Sequence, residues 1–421
     1  MFVYSGQGSQ WAGMGQQLLT DEPAFAAAVA ELEPSFVEQV GFSLQQVLAE
    51  GQPVAGDARV QPVIVGLQLA LTRLWRVYGV EPDAVIGHSM GEVSAAVVAG
   101  ALTPAEGLRV IAIRSRLMAR MAGQGAVALL ELDADAAARL LHTLPGVSVA
   151  GLLSPRQTVI AGPPAQVAAA ITAVQQQNRF ARRVNMQVAS HTASMDPILA
   201  ELRSALAGLA PKLPVIPLLS TVTDTGTPRL DADYWVANVR QPVRLSQAVA
   251  AAGQDHTTFV EISPHPMLTQ AITETLGTAT HHHSIGTLRR DADDTLSFHT
   301  NLNAATTNHP PRMPHPPGRT RCCRPPRGGT VGTGFPPSRR PLLPWLVIRC
   351  WALVSLIPRP GFGCGSARWV PTPYGLTITV LMARVCCRAR RMSSWHWLRR
   401  RRRSAPRSIG RGRLPSCCCT S

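Results

Sequence analysis

Ala84-Val85-Ile86-Gly87-His88-Ser89-Met90-Gly91-Glu92-Val93-Ser94-Ala95-Ala96-Val97-Val98-Ala99 decides the reading of this 421-residue chain. A short apolar run ends in Gly-x-Ser-x-Gly and is followed by a stretch with helical character. A strand turning sharply into a helix around a serine is the nucleophile-elbow pattern. Gly87 and Gly91 are expected to let the backbone turn, so that the serine hydroxyl stands exposed above a sheet at a helix N-terminus. Unpaired N–H groups at such a terminus can receive a developing oxyanion. Gly-x-Ser-x-Gly alone is only moderately specific, so its surroundings carry the discrimination.

Composition divides the chain. Residues 1–300 hold 19 Lys and Arg against 25 Asp and Glu, a net charge of −6, and no cysteine. Residues 301–421 hold 22 Arg, no acidic residue and all nine cysteines. The overall charge of +16 therefore belongs to the tail, and a nucleic-acid binder is not implied by it. A cysteine-free first part excludes a disulfide framework there and fits a reducing cytoplasm. Met1-Phe2-Val3-Tyr4-Ser5 has no charged n-region or long apolar core, so no secretory leader is expected.

The tail carries four Pro-Pro pairs, Arg399–Arg403 and Cys417-Cys418-Cys419. Its adjacent cysteines, such as Cys322-Cys323, do not have the C-x2-C spacing of a tetrahedral zinc site. Leu342–Ile357 is apolar but is interrupted by Arg349 and is short for a membrane span. Arginine, proline, cysteine and tryptophan rise together as acids vanish. That is the expected texture of GC-rich coding sequence translated out of frame, and we read residues 301–421 as an Arg/Pro/Cys-rich tail without an evolved fold.

Along the first 300 residues, Phe2-Val3-Tyr4 reads as a strand before Gly6-Gln7-Gly8, and Met14–Leu19 and Ala24–Leu32 as helix. Pro62–Tyr78 has apolar residues at helical spacing, and Pro104–Met121 is a second amphipathic helix. From Gly125 the texture changes. Strand Ala126–Leu130, helix Asp133–Leu141, strands Val147–Leu153 and Gln157–Ala161, helix Pro164–Gln176 and strand Ala181–Val184 give the β-α-β-β-α-β order of a ferredoxin-like unit. Helix Asp196–Leu209, strand Ile216–Ser220, helix Leu245–Ala252 and strand Phe259–Ile262 follow. The fold class is thus α/β: a large subdomain, 1–124 with 188–300, carrying a ferredoxin-like insert at 125–187.

Gly6-Gln7-Gly8-Ser9-Gln10-Trp11-Ala12-Gly13-Met14-Gly15, Gly87–Glu92, Arg114, Ser190-His191 and Glu261-Ile262-Ser263-Pro264-His265-Pro266 stand in the order of acyl-CoA:acyl-carrier-protein transferases. Over about residues 2–300 the chain resembles that family. Trp11 and the Gly-Met-Gly run favour the acyltransferase domains of type I polyketide synthases over free-standing malonyl transferases. The resemblance implies an α/β-hydrolase-like large subdomain with a ferredoxin-like insert. It also implies transfer of a malonyl-type extender unit from CoA to the phosphopantetheine thiol of an acyl carrier protein.

Roles follow by position. Ser89 is the expected nucleophile and His191 its base. The carbonyl of Asn238 is the match for the group that orients the histidine. Backbone N–H groups of Gln7 and Met90 form the expected oxyanion hole. Arg114 matches the residue that binds the extender's free carboxylate, with Gln61 beside it. Val188-Ala189-Ser190-His191 resembles the Tyr-Ala-Ser-His signature of methylmalonyl-selective members more than His-Ala-Phe-His, which places Ser190 and Val188 among the substrate-binding residues. Val188 and Met90 depart from the methylmalonyl pattern. One methyl group is worth about 1–3 kcal/mol of discrimination.

Other readings remain. Arg109, Arg116 and Arg120 share the helix of Arg114, so a solvated charge face competes with carboxylate binding. His88 supports the site rather than reacting. His281-His282-His283 reads as an exposed linker. No metal and no resident cofactor is expected, since acyl-CoA is substrate. Carrier-protein and ketosynthase domains are the implied partners, and the expected location is cytoplasmic. A thioesterase-like serine hydrolase shares the elbow but usually adds an Asp or Glu to the triad. An inactive remnant of a synthase is the third reading.

Overall fold

The structure is a computed structural model, and it describes residues 1–223, 226–277 and 281–307. Its strands are β1 (Phe2–Tyr4), β2 (Val85–Gly87), β3 (Ala126–Leu130), β4 (Ser148–Ser154), β5 (Gln157–Gly162), β6 (Ala181–Val184), β7 (Leu218–Leu219), β8 (Thr258–Ile262) and β9 (His283–Ile285). Two sheets result, ordered β7-β2-β1-β8-β9 and β4-β5-β3-β6.

The first sheet is parallel throughout. Phe2 pairs with Val85 on one side and Val260 on the other, so β1 is its centre. Every residue of β1 and β2 is buried, as expected of parallel strands covered by helices on both faces. Helix Asp57–Val77 is buried along most of its length and ties to the far strands through Trp75 Nε1, which donates to Thr287 Oγ1 at 3.0 Å. Helix Pro104–Ala119 starts in a capping box: Thr103 accepts from the Glu106 backbone and Glu106 accepts from the Thr103 backbone. That cap fixes the start of the helix that carries Arg114.

The second sheet is antiparallel at every pairing. Its order, with helices Ala134–Leu141 and Pro164–Gln175 as crossovers, is the ferredoxin-like arrangement. Alternation along β3 divides its labour. Ala126, Ala128 and Leu130 join the insert's own core with Ile160, Val167 and Val174, while Val127 and Leu129 face a cavity between the two sheets.

Several elements depart from the sequence expectations. Helices Leu44–Glu50, Ala232–Arg240, Thr269–Leu276 and Asp294–Thr307 were not anticipated, and the last crosses the expected boundary at 300. The helix expected over Asp196–Leu209 stops at Ala205. His281-His282-His283 is not simply a linker: His283 opens β9 and pairs with Thr258 at the sheet edge. The reading of the tail falls on residues outside the described ones from 308 onward. No helix among the described residues is long and apolar enough to cross a membrane.

Candidate active site

Ser89 sits where β2 gives way to helix Gly91–Val98, with φ at 56°, a left-handed conformation that a non-glycine residue adopts at a cost of about 1–3 kcal/mol. The flanking glycines are needed for a different reason from the expected one. Neither has positive φ; instead a Cβ on Gly87 would lie 2.2 Å from the Glu92 backbone, and one on Gly91 would lie 2.2 Å from the Tyr4 carbonyl oxygen. Close backbone packing forces the turn, and Ser89 itself carries the strain. His88 N donates to the Tyr4 carbonyl at 2.8 Å, which locks the elbow to the central strand.

His191 comes from the loop after β6, also with positive φ (62°), and its backbone N donates to the Val239 carbonyl at 2.9 Å. Its Nε2 is 2.7 Å from Ser89 Oγ. Its Nδ1 is 3.0 Å from the carbonyl oxygen of Gln241, not of Asn238 as expected. The chain leaves helix Ala232–Arg240 at Gln241 in an extended conformation, so that carbonyl turns out of the helix and toward the ring. The Asn238 carbonyl, whose usual partner at position 242 is a proline without an N–H, acts on the ring as a smaller second acceptor. A carbonyl acceptor places the proton on Nδ1 and leaves the Nε2 lone pair facing the serine hydroxyl. Burial pushes the His191 pKa down to about 3, helped by the positive charge of Arg114 and by His88. The imidazole is therefore neutral at neutral pH, the form that accepts a proton.

Arg114 is 2 % exposed, while Arg116 and Arg120 on the same helix are exposed and Arg120 pairs with Glu201. That separates it from the solvated-face reading. Its Nη1 donates to Gln61 Oε1 at 2.6 Å and its Nη2 to Ser89 Oγ at 3.2 Å. Nε is buried without a partner, and no carboxylate pairs with the guanidinium among the described residues. Burial lowers the Arg114 pKa to about 10, which still leaves it charged. The charges of Asp57 and Glu92 oppose that fall but neither carboxylate contacts the guanidinium, and a carboxylate-bearing ligand would offset more of the cost of its burial.

These groups line a cavity of about 1120 Å³ with walls from both sheets. Gln7, Met90, Gln61 and Ser190 all line it. The backbone N–H groups of Gln7 and Met90 make no hydrogen bond among the described residues and so remain available to an acceptor. Val188 does not line the cavity. The Gln187 carbonyl accepts from Gly123 and Gly125 N–H, and this pinned turn sends Val188 into the hydrophobic core. Its expected substrate contact is therefore withdrawn.

Sequence reasoning missed Glu92. It is wholly buried and accepts from Thr221 N (2.7 Å), Thr221 Oγ1 (2.8 Å), Tyr234 Oη (2.6 Å) and Asn238 Nδ2 (3.0 Å). Asn238 Nδ2 also donates to the Ser89 carbonyl at 3.0 Å. One carboxylate thus joins the elbow to the helix whose end orients His191. Burial raises its pKa, and the hydrogen bonds oppose that rise. The one signal was a lone acid in an otherwise small and apolar helix.

Known proteins bear on this geometry. The sequence profile of the acyl transferase domain matches residues 1–311. A phenolphthiocerol/phthiocerol polyketide synthase of Mycobacterium tuberculosis contains a polypeptide that is 66 % identical over 304 residues, covering 72 % of this chain and 17 % of that protein. A second polypeptide of the phenolphthiocerol/phthiocerol synthase in the same species is 58 % identical over 330 residues, covering 75 % of this chain and 22 % of that protein. The chain thus spans about a fifth of these relatives' length. The acyltransferase domain of the polyketide synthase PpsC of M. tuberculosis superposes with a TM-score of 0.67 at 58 % identity, covering 69 % of this chain and 91 % of that one. The acyltransferase domain from module 8 of the salinomycin polyketide synthase gives 0.69 at 38 % identity, covering 73 % and 75 %. The chain belongs to the acyl transferase domain family, as an acyltransferase domain of the polyketide synthase type.

Proposed function

We propose that the domain moves a carboxylated acyl unit, methylmalonyl in preference to malonyl, from CoA to the phosphopantetheine thiol of an acyl carrier protein through an acyl-Ser89 intermediate. The observation that carries this reading is Arg114: a buried, charged guanidinium with no carboxylate partner among the described residues, 3.2 Å from the serine hydroxyl.

In the first half-reaction Ser89 Oγ attacks the thioester carbonyl carbon while His191 Nε2 takes the hydroxyl proton. The carbonyl oxygen gains negative charge toward the backbone N–H groups of Gln7 and Met90. The C–S bond then breaks, and His191 returns the proton to the CoA sulfur. In the second half the carrier thiol gives its proton to His191, its sulfur attacks the acyl ester, and Ser89 leaves as the alcohol. Arg114 holds the free carboxylate in both halves. Ser190, a small side chain in the cavity wall, leaves room for a methyl at C2. The His191–Gln241 pairing favours this reading over a hydrolase triad, in which a carboxylate faces Nδ1. On this reading the partners are the carrier-protein and ketosynthase domains of a cytoplasmic polyketide synthase.

The test is transfer in trans. With methylmalonyl-CoA and a phosphopantetheinylated carrier protein, initial rates varied in both substrates should give the parallel double-reciprocal lines of ping-pong kinetics. Ser89→Ala and His191→Ala should abolish transfer. Converging lines, or release of free acid in place of acyl-carrier, would contradict the reading.

A further inference from the structure

Asp57 lies at the opposite end of a chain of side chains from Arg114, buried except at the partly exposed Gln7. Arg114 Nη1 donates to Gln61 Oε1 (2.6 Å), Gln61 Nε2 donates to Gln7 Oε1 (3.1 Å), and Gln7 Nε2 donates to Asp57 Oδ1 (2.8 Å). A guanidinium has only donors and a carboxylate only acceptors. Either end by itself sets the direction of both amides, and here the two ends agree. What Asp57 adds is an anchor: it holds Gln7 Nε2 in place, and through Gln7 Oε1 it holds the Gln61 amide that faces Arg114.

Asp57 also opens helix Asp57–Val77, where an acidic residue favours the helix dipole. Its carboxylate is not spent on the helix's own N–H groups. One oxygen is on Gln7 and the other, Oδ2, is buried without a partner, although the residue is only 8 % exposed. Nothing in helix capping requires that arrangement, and a buried unsatisfied carboxylate oxygen has a cost that calls for an explanation.

Resting on the reading under Proposed function, we infer that Asp57 is a positioning residue for carboxylate recognition: through Gln7 and Gln61 it anchors in place the amide against which Arg114 rests, and so holds the guanidinium toward the acyl unit's free carboxylate. The same link holds the Gln7 side chain, and with it the loop whose backbone N–H faces the reacting carbonyl. Asp57 touches no reacting atom. Its effect is on the difference between carboxylated and uncarboxylated acyl groups of equal size.

The experiment compares methylmalonyl-CoA with propionyl-CoA, which lacks only the carboxylate, on the full chain. Initial rates of CoA release give kcat/KM for each, and their ratio is the readout. Asp57→Ala removes the acceptor for Gln7 Nε2 and should lower that ratio by about tenfold or more, with most of the loss on methylmalonyl-CoA, while Asp57→Asn, whose amide oxygen can still accept, should restore most of it. Arg114→Ala should collapse the ratio, and Asp57→Ala added to Arg114→Ala should change it no further, the non-additivity of residues acting as a unit. Gln7→Met cuts the chain in its middle while leaving Asp57 at the head of its helix. It should reproduce the Asp57→Ala ratio, and it decides the matter if Asp57→Ala unfolds. The inference is overturned if both variants slow the two substrates equally, as a structural role would, or leave the ratio unchanged while Arg114→Ala still collapses it. A wild-type ratio near one, insensitive to Arg114→Ala, would instead overturn the underlying reading.

Discussion

Arg114 Nη2 stands 3.2 Å from the Ser89 hydroxyl oxygen, so a buried guanidinium reaches the atom that the proposed mechanism acylates. A carboxylate carried on the α-carbon of an ester at that oxygen falls within the arginine's span. Arg114→Ala should reduce loading from methylmalonyl-CoA by about 30-fold or more, as for a charge-assisted contact worth roughly 2–5 kcal/mol. Hydrolysis of a small neutral ester should change by only a few-fold. CoA release and p-nitrophenyl acetate cleavage, measured side by side, check this. Equal losses on both would assign Arg114 to structure.

The depressed pKa of His191 predicts an unusual pH profile. A base acts in its neutral form, so activity rises with pH through the histidine pKa. That limb should lie far below the ordinary 6.5, near 3. Arg114→Gln removes the positive neighbour and should move it upward. His88, whose two ring nitrogens are buried without a partner, is held down to about 4 by burial. Both histidines are neutral in the fold and take up protons in the unfolded chain below about 6.5. The histidines' contribution to stability is therefore full above that pH and falls as pH drops from about 6.5 toward 4. Glu261, raised by burial to about 7, and Asp294, raised to about 6, act in the opposite sense over the same range, so the histidine contribution is read by difference: between pH 7.5 and pH 5, Tm should shift less toward instability in His88→Asn than in the unsubstituted chain.

On the proposed reading, Ser190 sets the room beside the acyl C2. Ser190→Phe should shift preference from methylmalonyl-CoA toward malonyl-CoA by about tenfold, the scale of one methyl group in a pocket. Competition between the two CoA esters, read by the mass of the acylated protein, measures it directly.

Glu92 joins Thr221, Tyr234 and Asn238 in one buried cluster. Glu92→Ala leaves those donors without an acceptor and should cost about 3 kcal/mol or more. Glu92→Gln should retain part of the stability while lowering kcat more than it raises KM, because the elbow and the helix end that orients His191 lose a shared anchor. Urea denaturation and steady-state kinetics on the two variants separate these effects.

Much of this architecture was legible in the sequence because it rests on local pattern. The strand Ala126–Leu130 follows from a short continuous apolar run, and the helix Leu245–Ala252 from apolar residues at helical spacing. Ser89 was marked by its flanking glycines and Arg114 by its match to a position of the family the chain resembles. What escaped were relationships made only in three dimensions. The acceptor for His191 is a backbone carbonyl, which has no residue signature, and Gln241 differs from Asn238 only in where the helix releases the chain. Val188 turns inward because of a pinned turn at Gln187, a bond no spacing encodes. Helix Asp294–Thr307 was missed because its surface shows almost no amphipathic stripe; it is held instead by Phe298, which packs its ring against Trp75 and Tyr78.

The most direct test is intact-mass spectrometry of the full chain after brief incubation with methylmalonyl-CoA, malonyl-CoA or propionyl-CoA in separate tubes. The account predicts a single methylmalonyl adduct, a smaller malonyl adduct, little or none from propionyl-CoA, and complete loss of every adduct in Ser89→Ala. An adduct that persists in Ser89→Ala, or a propionyl adduct as abundant as the methylmalonyl one, would contradict it.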